Sequence, residues 1–485
     1  MGAIAAVVNK TGRNAVPDVV AMLQQLTHRG TDAHGVATPN SVRIAKSIEN
    51  MTGIDISSNV AVGHNLCRII SGDCPQPVLG EGFALVFEGR LFPSLGKYDV
   101  DEVMEKLRLD PKRNAGHVVK ELDGSYVFAI SLPDEVIVGR DTVGTNPLYY
   151  GENKKVGVVA SERKALWALG INNVKSFPPG NLALIDVHGF SFKSIRTITR
   201  PRIEDIDIET AAKSLQNLLL ESTRERVSGF RETAVAFSGG LDCSVIAFLA
   251  KLCGIKLHLV SVGLRNQHEL QHAEKAAEAL RLPLHLQTYT LDDVERVLPK
   301  VLWLIEELDA VKASIAIPFY WAAENASKMG CRILLAGQGG DELFGGYQRY
   351  LTEYARSGSS ALMGLMYRDV ITSYEKNFQR DNQVCSSHGV ELRLPFADRE
   401  LVHFSLSLPL SLKIVSTDDG PRKRVLRQVA QNLGLPSFIV NKPKKAIQYA
   451  TGVGKALRTI AKREGLSLQE YVKKVFKKAY SCGEV

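Results

Sequence analysis

The sequence predicts two domains of different fold class: an α+β N-terminal domain of stacked antiparallel sheets, and an α/β C-terminal domain with a parallel sheet and a helical extension. Short apolar runs bounded by Gly, Pro or Asp dominate the first part of the chain, as in antiparallel strands. From Glu232 apolar runs alternate with helical segments, the pattern of a parallel sheet. From about Asp341 the pattern is mostly helical. We therefore expect domains at residues 1–190 and 207–485, joined by a linker at 191–206.

The individual elements follow from these runs. In the first domain the clearest predicted strands are Phe83–Phe87, Ser125–Ser131, Glu135–Gly139 and Leu182–Asp186. The second domain is expected to open with an amphipathic helix at Ile206–Val227. Its predicted strands are Thr233–Phe237, Leu257–Val262 and Arg332–Leu335, and its next helices run through Ile246–Leu252 and His272–Leu280.

Composition and charge exclude several classes of protein. The chain has 485 residues, is 45% hydrophobic and 23% charged, and carries a net charge of +8, which suits a globular protein with acidic substrates such as nucleotides. It shows no clear basic surface with aromatic residues, so no nucleic-acid partner is predicted. Seven scattered cysteines without a C-x-x-C pair indicate neither zinc nor a disulfide framework. With no signal peptide and no apolar run of about 18 residues, we expect a cytoplasmic protein without a membrane partner.

The first candidate site lies between a predicted strand and a predicted helix. It reads Ser238, Gly239, Gly240, Leu241, Asp242, Cys243 and Ser244. The glycines allow a tight turn that brings backbone N–H groups close to an anion, and the helix N-terminus adds partial positive charge. The hydroxyls of Ser238 and Ser244 can donate to phosphate oxygens, and Asp242 can hold magnesium. This string predicts a phosphate-binding turn.

A second candidate site follows the predicted strand Arg332–Leu335. It reads Ala336, Gly337, Gln338, Gly339, Gly340, Asp341 and Glu342. Glycines flank the acidic residues, so the backbone can approach a ligand closely. Carboxylates in such a loop can supply the oxygen ligands that magnesium needs when it bridges pyrophosphate. We predict that this loop and the phosphate-binding turn form one site.

These strings resemble known families. The first resembles the PP-loop, SGGxDS, of ATP pyrophosphatases, with Cys243 where that family has Ser. The second is similar to the SGEGxDELFGGY segment of asparagine synthetases, so the C-terminal domain resembles the PP-loop domain of that family. Further segments match the family in order: Val260–Leu264, His388–Asp398, Lys423–Arg427, and Lys444 and Lys445 followed by Gln448, Tyr449 and Gly452.

The resemblance implies roles for these residues. Phe237, Val262, Ala336 and Gly337 would line adenosine. Asp242 and Asp341 would carry Mg²⁺, and Lys445 or Lys444 would stabilise negative charge developing on the α-phosphate and pyrophosphate.

One position departs from the family pattern. Gln338 stands where the family has a Glu that assists formation and capture of the acyl-adenylate. A glutamine forms hydrogen bonds but accepts no proton, so either another base serves or the activity is altered.

The N-terminal domain resembles class II glutamine amidotransferases, which implies an Ntn-hydrolase-like sandwich. The segments that carry the resemblance are Arg29–Asp32, Gly63–His64, Pro75–Pro77, Leu122–Gly124, Gly139–Asp141, Pro147–Gly151 and Ala160–Glu162. The catalytic residues are absent. Gly2 stands where the family has its nucleophilic Cys, and Glu88 and Gly89 stand where it has the oxyanion-binding Asn-Gly. Leu66 aligns with the Arg that binds glutamine's carboxylate, and Asp101 is the expected match for the acid that binds its amine. The sequence therefore predicts a degenerate glutaminase site.

The resemblance implies a ligase that uses ATP and Mg²⁺ to convert aspartate and ammonia into asparagine, AMP and diphosphate through β-aspartyl-AMP. Ammonia would come from solution or a separate glutaminase, and the N-terminal domain would serve as a scaffold or homodimer contact. The carboxylate stays open, because Val311 and Ser314 align with the family's aspartate-binding Thr and Arg, although Lys312 could supply a cation. The alternatives are an enzyme that adenylates another carboxylate or carbonyl, and a catalytically weak regulatory protein.

Overall fold

The computed structural model describes residues 1–93, 98–416 and 422–481. The chain divides into two compact units, Met1–Ile198 and Thr199–Val485. Among the described residues, no helix is long and apolar enough to span a membrane.

Antiparallel strands form the two sheets of the first unit. They are β1 (Gly2–Asn9), β2 (Ala33–Thr38), β3 (Ser41–Ala45), β4 (Val60–Leu66), β5 (Val78–Leu79), β6 (Ala84–Leu91), β7 (Gly124–Leu132), β8 (Glu135–Arg140), β9 (Tyr149–Glu152), β10 (Val156–Ala160), β11 (Lys175–Ser176), β12 (Asn181–Asp186) and β13 (Gly189–Ser194). One sheet has the order β11-β9-β10-β1-β4-β2-β3, and the other has the order β13-β12-β8-β7-β6-β5. The helices of this unit are α1 (Val16–Gln24), α2 (Asp99–Leu107), α3 (Pro111–Glu121) and α4 (Arg163–Trp167).

The alternation of side chains along β1 shows how the sheets stack. Ala3, Ala5 and Val7 pack with α1 on the outer face of the first sheet, whereas Ile4 and Val8 pack against strands of the second sheet. Successive residues of a strand point to opposite faces, so a strand that is apolar throughout must be covered on both sides. Helices α2 and α3 pack on the outer face of the second sheet. This four-layer arrangement confirms the predicted sandwich of antiparallel sheets.

The expected linker begins too early. Strand β13 pairs with β12 from Gly189 to Ser194, so residues 191–194 belong to the first unit, which extends to Ile198. The helix that opens the second unit begins at Ile208, where the Asp207 carboxylate accepts hydrogen bonds from the backbone N–H groups of Glu209 and Thr210.

A five-stranded parallel sheet forms the centre of the second unit. Its strands are β14 (Glu232–Ala236), β15 (Lys256–Leu264), β16 (Leu284–Tyr289), β17 (Ile333–Leu335) and β18 (Glu391–Arg393), in the order β16-β15-β14-β17-β18. Its helices are α5 (Ile208–Val227), α6 (Leu241–Leu252), α7 (His268–Leu280), α8 (Leu291–Ile305), α9 (Ala310–Lys328), α10 (Gly340–Phe344), α11 (Gln348–Ser373), α12 (Gln379–Ser386), α13 (Arg399–Ser407), α14 (Arg424–Asn432), α15 (Ser437–Val440), α16 (Ile447–Ala450), α17 (Val453–Arg463) and α18 (Leu468–Ser481). This confirms the predicted parallel sheet with a helical extension.

The strand order places the two candidate loops together. Strand β14 pairs in parallel with β15 on one side and with β17 on the other, so the direction of the winding reverses at β14. In such sheets, ligands bind at the carboxyl ends of the strands beside the reversal. The turn at Ser238 follows β14 and the loop at Ala336 follows β17, so both lie at that edge.

Candidate active site

A cavity of about 280 Å³ lies in the second unit between these two loops and the segment Lys442–Thr451. Among the residues that the structure describes, seven cationic side chains and three carboxylates line it, a net charge of +4 for this part of the lining. A basic lining of this kind favours a strongly anionic ligand such as a polyphosphate.

The turn predicted to bind phosphate has glycine and helix-terminus geometry that suits an anion. Gly239 has φ +65°, and a Cβ there would lie 2.8 Å from the His272 ring, so only glycine fits without a shift. Helix α6 begins at Leu241, and its N-cap, Gly240, brings no side chain between the first N–H groups and the cavity. Ser238 is exposed at the cavity, which suits it to donate to an anion.

Two side chains of the turn are turned inward. Cys243 occupies the family's Ser position, and its thiol donates to the Gly240 carbonyl at 3.3 Å while its sulfur accepts from the Ser238 N–H at 3.4 Å. Ser244 is fully buried within the described part of the chain, so its hydroxyl does not reach the cavity surface. At this position of α6 the side chain faces the core, and its hydroxyl has no hydrogen-bond partner among the described residues, so the donation of Ser244 to phosphate stays a prediction.

Glycines hold the second loop against the first. A Cβ on Gly337 would lie 2.9 Å from Cβ of Asp242, and a Cβ on Gly346 would overlap Oδ1 of Asp341 at 2.0 Å. The backbone therefore approaches the two carboxylates more closely than any side-chain-bearing residue would allow. The two loops, about a hundred residues apart in the sequence, form one wall of the cavity.

A lysine that was not among the predicted site residues links the two carboxylates. The Nζ of Lys423 lies 2.6 and 2.8 Å from the two carboxylate oxygens of Asp242 and 2.6 Å from Oδ1 of Asp341. Lys423 has φ +60°, a conformation that costs a non-glycine residue about 1 kcal/mol. The sequence signal for this lysine is the resemblance of the Lys423–Arg427 segment to the family.

The two adjacent lysines of the second cationic segment have different partners. Lys444 pairs with Oδ2 of Asp341, whereas Lys445 lies 3.2 Å from Glu269, which also pairs with Lys442 at 2.8 Å. Burial raises the pKa of Asp341, but Lys423 and Lys444 outweigh this effect and hold that pKa well below its usual range. Lys444 therefore belongs to the Asp242–Lys423–Asp341 cluster, and Lys445 belongs to the outer edge of the cavity.

The residues expected at adenosine and at the acyl group also reach the cavity. Phe237, Val262, Ala336 and Gly337 all line it, beside an apolar wall from α9. Gln338 lines it too, and its Nε2 donates to Oδ2 of Asp381 at 2.5 Å.

The side chains that align with the family's aspartate-binding Thr and Arg have other surroundings in this chain. Val311 is exposed, and the Ser314 hydroxyl donates to the Val311 carbonyl at 2.7 Å. Lys312 pairs with Glu307 and donates to the Glu375 carbonyl at 3.4 Å, so it is held away from the cavity.

The predicted degenerate site in the first unit is nearly filled by its own polar groups. The backbone N–H of Gly2 donates to Glu88 at 2.8 Å, and Nε2 of His64 lies 3.6 Å from the same carboxylate. Nearby, Arg90 donates to both oxygens of Asp73, at 2.6 and 2.8 Å. The remaining cavity measures about 30 Å³, the space of about one water molecule.

Neither Gly2 nor Gly89 has room for a side chain. A Cβ on Gly2 would lie 1.9 Å from the Asn65 carbonyl oxygen, and one on Gly89 would lie 2.1 Å from the Ser125 carbonyl oxygen. Asp101 was expected to face this site, but its side chain is exposed. The acid on α2 that lies there is Asp99, 3.6 Å from Arg90, because residues two positions apart point to different sides of a helix.

Comparison with known proteins adds an independent line of evidence. The family model for asparagine synthase matches residues 214–361 and 352–480, and a model for a glutamine amidotransferase domain matches residues 97–168. A protein of Methanocaldococcus jannaschii, provisionally described as a glutamine-hydrolyzing asparagine synthetase, is 30% identical over 96% of this chain and 96% of its own length.

A glutamine-hydrolyzing asparagine synthetase of Saccharomyces cerevisiae is 24% identical, over 90% of this chain and 82% of that protein. Among solved structures, a glutamine phosphoribosylpyrophosphate amidotransferase from B. subtilis aligns with a TM-score of 0.36 and 19% identity, over 59% of this chain and 65% of that one.

Proposed function

This chain belongs to the asparagine synthetase family and is an ATP-dependent amide-forming ligase; from that premise, we propose that it takes its nitrogen from ammonia and not from glutamine. A carboxylate, aspartate in the family reaction, attacks the α-phosphorus of ATP, and the bond to diphosphate breaks. Ammonia then attacks the acyl carbon of the adenylate, the bond to AMP breaks, and one proton is released.

The observation that carries the ligase part of the proposal is the lysine bridge between the two loops. Lys423 contacts Asp242 and Asp341 at 2.6 Å each, so the turn after β14 and the loop after β17 face one another across a basic cavity. We assign the triphosphate to this end of the cavity, with Ser238, Gly239 and Gly240 around it. Lys444 is the better candidate than Lys445 for stabilising charge on the α-phosphate, because it contacts Asp341.

Magnesium fits the same end of the cavity when the nucleotide is present. Among the described residues no group of three or more His, Cys, Asp or Glu side chains is arranged to hold a metal by itself. Magnesium is commonly held by one or two carboxylates together with substrate phosphates, and Asp242 and Asp341 supply two carboxylates at the predicted phosphate position. When bound, the ion would offset charge on the phosphates, and the lysines would exchange partners from the carboxylates to the triphosphate.

The first unit supports the proposed use of free ammonia. Glu88 places a carboxylate where glutamine hydrolysis needs an oxyanion-binding group, and the backbone N–H of Gly2 is already occupied by it. Ammonia would come from solution or from a separate glutaminase. We assign residues 1–190 a scaffolding role, with a homodimer contact as one form of it, and we place the boundary of the synthetase domain after Ile198.

The residues at the start of α9 favour a second class of substrate, a carboxylate other than aspartate. The positions that align with the aspartate-binding Thr and Arg carry Val311 and Ser314, and Lys312 is engaged by Glu307. A carboxylate other than aspartate would be recognised without those contacts. In either case the chemistry at the phosphate end is the same.

One assay separates these functions. The purified protein is incubated with ATP, Mg²⁺, and aspartate or another acid from a panel, and diphosphate release is measured with ammonium or glutamine as nitrogen donor. The proposal expects aspartate-dependent release with ammonium and none with glutamine. Release with another acid supports the second candidate. An absence of release with every acid would leave a regulatory protein of the same family and would contradict the proposal.

A further inference from the structure

Gln338 and Asp381 form a short hydrogen bond beside the cavity. The Nε2 of Gln338 donates to Oδ2 of Asp381 at 2.5 Å, although the residues lie 43 positions apart in sequence. Asp381 is fully buried in the first turn of α12. The neighbouring Arg380 donates to its two oxygens at 2.8 and 3.0 Å. A buried carboxylate that is paired on both sides is fixed in position.

This pairing settles which end of the Gln338 amide faces Asp381. A carboxylate only accepts hydrogen bonds, so the amide nitrogen must be the group turned towards it, and the reversed amide would set two acceptors against each other. Gln338 lines the cavity, and with the amide nitrogen turned to Asp381, the carbonyl oxygen is the one acceptor that this side chain can offer a ligand. The side chain therefore presents a neutral acceptor of fixed direction, where a glutamine without a partner would present either end.

The position of Gln338 in the second loop indicates that its side chain lies near the acyl carbon that the nitrogen nucleophile attacks. Its neighbour Gly337 lies against Asp242, since a Cβ on Gly337 would be 2.9 Å from Cβ of Asp242. The α-phosphate and the acyl group attached to it must lie near this end of the cavity for Asp242 and Lys444 to act on the triphosphate. Gln338 is the next residue after Gly337, so its carbonyl oxygen is suitably placed to accept a hydrogen bond from a nitrogen nucleophile that approaches the acyl carbon.

We propose that Asp381 is a positioning residue for ammonia: it fixes the amide of Gln338 so that the carbonyl oxygen receives a hydrogen bond from the attacking nitrogen. This inference rests on the proposed ligase function. It assigns the second half-reaction, and not adenylation, to the Gln338–Asp381 pair. The amide oxygen takes no proton, so the proton released on amide formation leaves to solvent.

The test separates the two half-reactions. Aspartate-dependent exchange of label between diphosphate and ATP reports adenylation, and asparagine formation at varied ammonium reports capture of the adenylate. In Asp381→Asn the donor end of Gln338 is no longer selected. We expect kcat/KM for ammonium to fall about tenfold or more, as for loss of one well-placed hydrogen bond, with the exchange rate and the KM for ATP unchanged. A rise in the KM for aspartate, a loss of exchange, or unchanged ammonium kinetics would each overturn the proposal.

Exchanging the carboxylate and the amide between the two positions tests whether ammonium use can be rescued. Gln338→Glu alone sets two carboxylates against each other and should lower ammonium use. The double variant Gln338→Glu/Asp381→Asn restores a donor–acceptor pair and keeps an acceptor oxygen at the cavity, so its kcat/KM for ammonium should exceed that of both single variants. A double variant no better than either single variant would contradict the positioning role.

Matched controls account for folding. Asp369→Asn also removes a buried carboxylate that pairs with an arginine, at Arg349, and with the Tyr350 hydroxyl at 2.8 Å, outside the cavity lining. It should lower stability without changing the KM for ammonium. If Asp381→Asn does not fold, Gln338→Met, which leaves the Arg380–Asp381 pair in place, carries the test with the same expected loss. A wild-type protein without ammonium-dependent product formation would refute the proposed function itself, and this inference with it.

Discussion

Glu88 in the first unit and Asp341 in the second are both buried carboxylates, but they are paired differently. Glu88 accepts from the Gly2 backbone and faces His64, and the adjoining Asp73 is satisfied by Arg90, with about 30 Å³ left between them. Asp341 is paired with two lysines that border a cavity of about 280 Å³. A lysine can turn from a carboxylate to a phosphate, whereas a backbone N–H held inside a strand cannot turn away from Glu88. The comparison separates a site arranged for a ligand from one closed by its own residues.

The largest effect is expected at Asp242, which would separate the two sites most clearly. Asp242→Asn removes a carboxylate from both Lys423 and the proposed magnesium position, so diphosphate release should fall roughly 100-fold to 1,000-fold, the range seen when one electrostatic contributor is removed. Release is measured at saturating ATP over a range of Mg²⁺ concentrations. A thermal unfolding curve shows whether the variant is folded. A folded variant with the wild-type rate would remove Asp242 from the site.

The next effect distinguishes two adjacent lysines. Lys444 contacts Asp341, and Lys445 is nearly half exposed and contacts Glu269. Lys444→Ala should therefore lower kcat about 100-fold, because a charge at the reacting phosphates is lost, while Lys445→Ala should change kcat/KM for ATP less than about fivefold, as for an exposed ion pair. Each variant is the control for the other, since both remove one lysine from the same segment. Equal losses, or the larger loss at Lys445, would reverse the assignment.

The residues in these two predictions differ in how far local sequence patterns mark them. The loop at Ser238 and the loop at Ala336 could be predicted, because a strand followed by a glycine-rich turn is a local pattern, whereas the strand order that brings them to one sheet edge is seen only in the folded chain. The Lys423–Asp242 contact joins residues 181 positions apart, and only the folded chain shows it. The choice between Lys444 and Lys445 depends on which way a side chain points in an irregular segment.

The pairs on α2 and α12 were hidden for a related reason. Asp99 and Asp101 are both acidic residues in one turn of α2, and the side of the helix that faces the site is set by its packing on β6 and β7. The bond between Gln338 and Asp381 joins β17's loop to α12, so no spacing rule marks Asp381. Local geometry was predictable, and tertiary pairing was not.

A smaller effect, on stability, tests whether the first site is closed. Burial raises the pKa of Glu88, but the N-terminal ammonium and His64 outweigh it and bring that pKa to about 2. A lowered pKa stabilises the folded state above the unfolded value near 4.5, and the contribution is lost as pH falls towards 2. Above about pH 6 the free energy of unfolding of wild type should therefore exceed that of Glu88→Gln by a constant amount. The difference should shrink between about pH 5 and pH 3, roughly the window between the two pKa values. Urea unfolding at each pH measures it. A difference that does not depend on pH would mean that the Glu88 charge does not stabilise this site.

The smallest expected effect is on glutamine use, and it concerns Gly2→Cys. Restoring the family's nucleophile should produce no glutaminase activity, because the new Cβ would lie 1.9 Å from the Asn65 carbonyl oxygen and Glu88 would still face the place where an oxyanion develops. Glutamate release from glutamine measures this directly, and ammonium-dependent diphosphate release by the same sample shows that the second unit is intact. Glutamine hydrolysis by this single variant would mean that the first unit keeps a usable active site, and the contrast between the two units would then lie in one residue. If glutamine hydrolysis is absent while ammonium use is unchanged, the backbone around β1 and β4 and the Glu88 carboxylate keep the site closed. A nucleophile at residue 2 alone then does not restore glutaminase activity.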